Sequence, residues 1–177
     1  ELRGQVDLDR AKNIAVAVSG GKDSLAALML LHDILSLRRD VTLTAITVDE
    51  GIAGYRPEAL DKAIRLSSAL GVEHRVISFK EHVGSTMDSI SERLGHRTPC
   101  AYCGVFRRQC MNEMARAIGA DVLATGHNLD DVAQAILMNF TRGDVERLAR
   151  MGPHAKDQPG LIPRIIPLRS LPEKEVY

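Results

Sequence analysis

The sequence predicts an α/β fold built on a doubly wound, mostly parallel sheet. Three observations carry this. Short strand-like runs alternate with longer helical patterns along the chain. The runs are nearly continuous in apolar residues, as strands are when helices cover both faces of a parallel sheet. Every chemically unusual residue falls at the end of such a run or just after it. Open parallel sheets gather ligands there, near the point where strand order reverses.

The first run, residues 14–18, places β-branched Ile14, Val16 and Val18 alternately and leads straight into Ser19-Gly20-Gly21-Lys22-Asp23-Ser24. A helical pattern follows over 23–38. Strand, glycine turn and helix start, in that order, aim several backbone N–H groups and the positive end of a helix dipole at one spot. A phosphate-shaped anion fits there. The paired glycines let backbone approach it closely, and Lys22 adds a cation. The string is not a Walker A loop, which needs a glycine where this chain has Val16, and it does not fit G-x-G-x-x-G.

A second strand is predicted over 42–48, closed by Asp49-Glu50-Gly51, and a helix over 57–70 with Leu60, Ala63, Ile64 and Leu70 on one face. A third strand, 74–79, precedes a helix over 80–94. A helix over 104–119 leads into the fourth strand, 121–126, and helices over 129–140 and 144–151 follow. The stretch 152–172, with Pro153, Pro159, Pro163, Pro167 and Pro172, reads as a loop-rich exit from the core. Residues 170–177 read as a helix start capped by Ser170, which suggests a core fragment of a longer protein that starts at Glu1 and stops at Tyr177.

At 177 residues the chain suits one domain with a sizeable core. Apolar content of 45% and charged content of 26% suit a soluble globule, with no membrane-spanning run and no signal-peptide pattern. Three cysteines, an odd number, argue against a disulfide framework and for a reducing, cytoplasmic setting. The net charge is zero and aromatics are 3%, so any nucleic-acid contact rests on local patches rather than on a basic surface or a stacking platform.

Three further constellations carry chemistry. Asp49 and Glu50 close the second strand. Gly126-His127-Asn128-Leu129-Asp130-Asp131 closes the fourth, where Asn128 and Asp131 have capping-box spacing and the adjacent carboxylates suit Mg²⁺ beside a phosphate site. His127 reads as structural or as a minor substrate contact. Cys100-Ala-Tyr-Cys103, between Pro99 and Gly104, holds two thiols close together at a helix start, where thiol pKa falls. Such a pair can be a redox couple, half a zinc site or two ligands of an iron–sulfur cluster. Cys110, two helical turns beyond Cys103, reads as core. Arg107, Arg108, Arg116, Arg142, Arg147, Arg150, Arg164 and Arg169 form local basic patches. They read as solvated faces, except Arg107, one turn from Cys103.

Together these strings resemble the PP-loop tRNA 2-thiolation family, the TtuA- and TtcA-like enzymes. Within it the chain is most similar to the archaeal and eukaryotic cytosolic group that acts on the wobble uridine. The resemblance rests on residues 19–24, 100–109, 125–131 and 137–144, and it covers nearly the whole chain. It implies a PP-loop ATPase fold. It also implies a reaction in which ATP adenylates the uridine C2 oxygen, pyrophosphate leaves into the loop at 19–24, sulfur attacks C2 and AMP departs. ATP would lie over Ser19, Gly20, Gly21, Lys22, Asp23 and Ser24, with adenine near Val48 and Asp49 and Gly126 close by. Asp131 matches the family's catalytic aspartate. Cys100 and Cys103 match two ligands of a 4Fe–4S cluster whose third cysteine lies downstream of this domain.

Arg107 stands where TtuA-type members have a catalytic lysine. An arginine cannot easily act as a base but can stabilise phosphate or an oxyanion. The resemblance further implies Mg²⁺, tRNA as substrate, a ubiquitin-like sulfur carrier or other sulfide donor, and a homodimer or paralogous partner subunit. Zinc-binding modules belong to parts of the family's chains outside this one. The alternatives are a PP-loop thiolase for another tRNA position and a PP-loop amide-forming synthetase.

Overall fold

The structure, a computed structural model, describes residues 4–5, 10–94, 98–151 and 160–176. Pro153, Pro159, the chain ends Glu1 and Tyr177, and the Arg150 side chain lie outside the described residues. Five parallel strands form one sheet in the order β3-β2-β1-β4-β5. They are β1 (Asn13–Ala17), β2 (Thr42–Asp49), β3 (Glu73–Ser78), β4 (Val122–Thr125) and β5 (Arg164–Ile165). The helices are α1 (Lys22–Leu35), α2 (Arg56–Ala69), α3 (Phe79–His82), α4 (Met87–Leu94), α5 (Pro99–Ala117), α6 (Leu129–Thr141) and α7 (Val145–Arg150). The chain winds outward from β1 to β3, then returns to add β4 and β5 on the other side. Strand order therefore reverses between β1 and β4, and a crevice opens at their carboxyl ends.

The side-chain period of two divides the core into two layers. Ile14 and Val16 of β1 pack with Leu28, Leu31 and Leu35 of α1 and Ala63 of α2. Ala15, Ile46 and Leu123 face the other way, onto Met111, Met114 and Ala115 of α5. Small alanines on that second face let α5 lie close to the sheet, with its own amino end beside the crevice.

Four expectations need correction. The helix expected over 80–94 is two helices. α3 ends as the Val83 N–H bonds the Phe79 carbonyl, Gly84 lies in the break, and α4 starts where the Met87 N–H bonds the Glu50 carbonyl at 2.7 Å. Next, α5 begins at Pro99 and not at 104, because Thr98 takes the cap position and Pro99, with its fixed φ, fits the first turn. The exit stretch contains a strand, β5, whose two residues pair with Leu123 and Ala124. Last, residues 173–175 form a single 3-10 turn preceded by Pro172, with no cap from Ser170.

Candidate nucleotide site and cysteine pair

The loop after β1 is held by its own serines. Ser24 Oγ accepts the Ser19 N–H at 3.1 Å, lies 3.1 Å from Ser19 Oγ, and donates to the Gly21 carbonyl at 2.8 Å. Gly20 has φ +86°, and a Cβ there would sit 2.0 Å from the Ala59 carbonyl oxygen, so α2 rests directly on the turn. No side chain caps α1. Its first N–H groups and its positive dipole end therefore remain available to an anion. Lys22 Nζ is 3.1 Å from Asp23 Oδ1 and 3.1 Å from Glu173 Oε1. Burial works against its charge, but the two carboxylates outweigh burial and its pKa is raised.

A clamp lies behind the loop. Glu50 is 1% exposed and Arg56 5%. Arg56 Nη2 meets Glu50 Oε2 at 2.6 Å and also donates to the Val48 carbonyl, while its Nη1 donates to the Ser19 carbonyl at 3.1 Å. Arg107 Nε lies 2.7 Å from Glu50 Oε1, a charge contact in which the N–H is not aimed at the oxygen. Arg107 Nη2 also lies 3.5 Å from Cys103 Sγ. One buried carboxylate thus joins the phosphate loop, the end of β2 and the cysteine helix. The sequence drew attention to Glu50 only as a strand-end acid and gave no sign of Arg56, whose pairing depends on how the 50–56 turn folds back.

At the end of β4, Gly126 has no room for a side chain: a Cβ would lie 2.6 Å from Ser24 Cα. Asn128 caps α6 in a full capping box. Its Oδ1 accepts the Asp131 N–H at 2.9 Å, and Asp131 Oδ2 accepts the Asn128 N–H at 3.0 Å. The Asn128 amide also donates to Asp23 Oδ1 at 3.3 Å, tying the two strand ends together. Asp130 accepts the Glu173 N–H at 2.6 Å. His127 Nδ1 lies 3.1 Å from Thr125 Oγ1. Asp23 lines the crevice, whereas Asp130 and Asp131 do not. One oxygen of each α6 carboxylate remains unused by these bonds.

The start at Pro99 puts Cys100 in the first turn of α5 and Cys103 at the start of the second, three residues apart and hence on one face. Cys100 is exposed and Cys103 half-buried. Cys110 is fully buried among Val48, Phe79 and Met87, and burial, followed by the charge of Glu113, pushes its thiol up to about 11. A thiol so held stays protonated and is a poor ligand. Among the described residues no three His, Cys, Asp or Glu side chains gather as a metal site.

Two hollows meet at this end of the sheet. The larger, about 650 Å³, is lined by Ser19, Gly21, Asp23, Ser24, Gly126 and His127 on one side and by Gly104, Arg107, Arg108, Arg164 and Arg169 on the other. The smaller, about 170 Å³, is bounded by Val18, Ile46, Val48, Tyr55, Arg56 and Arg107. Asp49 does not line it; its Oδ1 accepts the Gly51 N–H at 2.9 Å. Arg108 and Arg164 are solvent-exposed, as the sequence reading expects, and with half-buried Arg169 they also converge with Arg107 on the larger hollow. A third hollow, about 440 Å³, lies at the amino ends of the strands around Asn13, Thr42 and Glu73. It holds none of the loop or cysteine groups.

Residues 2–177 match the family model described as PP-loop domain. The chain is 41% identical over 169 residues to tRNA 2-thiolation protein NcsA of Haloferax volcanii, covering 91% of this chain and 53% of that protein. It is 41% identical over 167 residues to cytoplasmic tRNA 2-thiolation protein 1 of Chlamydomonas reinhardtii, covering 93% and 46%. It therefore spans about half the length of these curated relatives. Among solved structures it is similar to the U34-tRNA thiolase NcsA of Methanococcus maripaludis with its [4Fe-4S] cluster. That likeness has a TM-score of 0.86 and 39% identity, over 99% of this chain and 58% of that one. Parallel sheet, serine-glycine loop at the strand-order reversal and a match over almost every residue lead to one conclusion: the chain belongs to the PP-loop domain family.

Proposed function

We propose that this chain is the ATP-binding catalytic domain of a cytoplasmic tRNA-uridine 2-sulfurtransferase acting on the wobble uridine. One observation carries the reading: a phosphate-binding loop and a cysteine pair stand at the same end of the sheet, with Arg107 touching Cys103 and lining both hollows. An amide-forming PP-loop enzyme has no use for those thiols.

In this reading the 19–24 loop holds the departing pyrophosphate with its N–H groups and with Lys22, once Lys22 turns from Glu173. The Val48 hollow takes adenine. Arg107, permanently charged and braced by Glu50, stabilises negative charge on the activated nucleotide. Asp23 in the larger hollow, and the spare oxygens of Asp130 and Asp131 outside its lining, would supply the hard ligands that Mg²⁺ prefers. The thiols of Cys100 and Cys103 fit a soft metal centre by donor type, and they would hold a [4Fe-4S] cluster with a third ligand from elsewhere in the protein. When bound, that group supplies an open iron able to carry sulfur. The sulfur comes from a ubiquitin-like carrier or another sulfide donor. A homodimer or paralogous partner fits the exposed apolar side chains of α6, Ile136, Leu137, Met138 and Phe140.

The test uses the full-length protein purified without oxygen. With ATP and unmodified tRNA it should form AMP, pyrophosphate and 2-thiouridine; ADP and phosphate would refute the assignment. Lys22→Ala should weaken ATP binding by roughly an order of magnitude through loss of a charge-assisted bond, measured by calorimetry. Cys100→Ser and Cys103→Ser should each abolish iron absorption and thiolation, while Cys110→Ser leaves both. Stoichiometric zinc without iron would defeat the cluster assignment.

A further inference from the structure

The wall of the larger hollow facing the phosphate loop is cationic, and half of its charge is uncommitted. Arg107 is occupied by Glu50 and Cys103, and Arg169 donates to the Met151 carbonyl at 3.1 Å. Arg108 from α5 and Arg164 from β5 have no acidic partner among the described residues, although both line the same hollow. They also act on each other: partial desolvation, followed by the charge of Arg108, lowers the pKa of Arg164, although both side chains still reach solvent. Two like charges held together without a counter-ion oppose folding. The chain has 23 acidic residues against 23 Lys and Arg, so acidic residues are not scarce; among the described residues none is placed at this pair.

Arginine is suited to the paired oxygens of a phosphate. The anion expected at Arg108 and Arg164 is separate from the nucleotide's own phosphates, because the loop, Lys22 and the α1 dipole already serve those across the hollow. Among the described residues no Phe, Tyr or Trp lines the hollow, and His127 lies on the phosphate-loop side, so on the opposite wall charge and not stacking must hold a strand. We propose that Arg108 and Arg164 form a phosphodiester subsite that grips the RNA backbone beside the reacting nucleotide. The proposal rests on the reading of the chain as a tRNA-modifying enzyme. It adds that the RNA enters along the α5–β5 wall and not over α2 and β3.

The test measures affinity of the full-length protein for an unmodified tRNA transcript over a series of salt concentrations. The variants are Arg108→Gln, Arg164→Gln and the pair, with Arg65→Gln as a charge-matched control on α2, where Arg65 pairs with Asp61. The double variant should bind tRNA at least tenfold more weakly at low salt, and its log–log salt slope should be shallower by roughly 1–2, the mark of lost phosphate contacts. ATP affinity should stay within about twofold, and so should tRNA affinity of the control, which reports general charge alone. Unchanged tRNA affinity and slope would overturn the subsite. So would an equal loss in the Arg65 control, or a loss confined to ATP, which would assign the pair to the nucleotide. A wild-type protein that binds no tRNA overturns the underlying reading too, and the AMP assay identifies that case independently.

Discussion

Glu50→Ala is expected to cost about 3–5 kcal/mol of folding stability, the range for removing one partner from a buried ion pair. The carboxylate is 1% exposed and meets Arg56 at 2.6 Å and Arg107 at 2.7 Å. Once it is gone, the charge of Arg56 stays buried with only the Ser19 and Val48 carbonyls to face, and Arg56 Nε is buried without a partner even in the intact protein. Urea unfolding with linear extrapolation gives the number. Replacing both members with leucines should restore much of the lost stability, since apolar pairs often substitute for buried ion pairs without net loss. It should not restore ATP affinity, because the Ser19 carbonyl then has no anchor. A double variant that binds ATP normally would show that the clamp serves the fold alone. A single variant within about 1 kcal/mol of wild type would show that water reaches the pair.

The second large effect is expected at Gly20. An alanine Cβ there would lie 2.0 Å from the Ala59 carbonyl oxygen and 2.6 Å from its carbon, at φ +86°. The obstacle is backbone inside α2, which no rotamer change relieves. Left-handed strain contributes roughly 1–2 kcal/mol and overpacking roughly 1–3 kcal/mol more. Gly54→Ala is the control: φ is +77° but nothing lies within 4 Å, so only the conformational part applies. The comparison of melting temperatures therefore isolates the contact. Gly20→Ala should also lose measurable ATP binding, because the turn must open to admit the methyl. Equal stability of the two variants, with ATP binding intact, would mean that α2 does not brace the loop.

Much of this was legible in the chain because the signals are local. The Ile14-to-Ser24 string names strand, turn and helix within eleven residues, and Asn128 with Asp131 announces its own capping box. Illegible features depend on residues that only the fold brings together. β5 is two residues long and sits among prolines, too short for any period to show. Arg108 and Arg164 converge because β5 pairs with β4 while α5 lies across the sheet, an arrangement no spacing encodes. The start of α5 differs for another reason: Thr98-Pro99 is itself the helix-start signal, whereas the expected helix begins only at Gly104, after the cysteine pair. Moving that boundary back by five residues put both cysteines on one helical face.

The edge of the sheet beyond β5 has a bearing on how the protein is made. Gln5 closes that edge with its side-chain amide, donating to the Ile166 carbonyl at 3.0 Å and accepting the Ile166 N–H at 2.7 Å, across 161 residues of sequence. A backbone rung is thus completed by a side chain from the opposite end of the chain, and contacts of such separation form late. During synthesis the four strands β3-β2-β1-β4 can pair once Thr125 has left the ribosome, and the loop at 19–24 already lies between them. Arg164 arrives about forty residues later. At that stage Arg107 and Arg108 are already present on α5 but Arg164 is not, so on the reading proposed above the phosphate loop is complete before the wall assigned to RNA is.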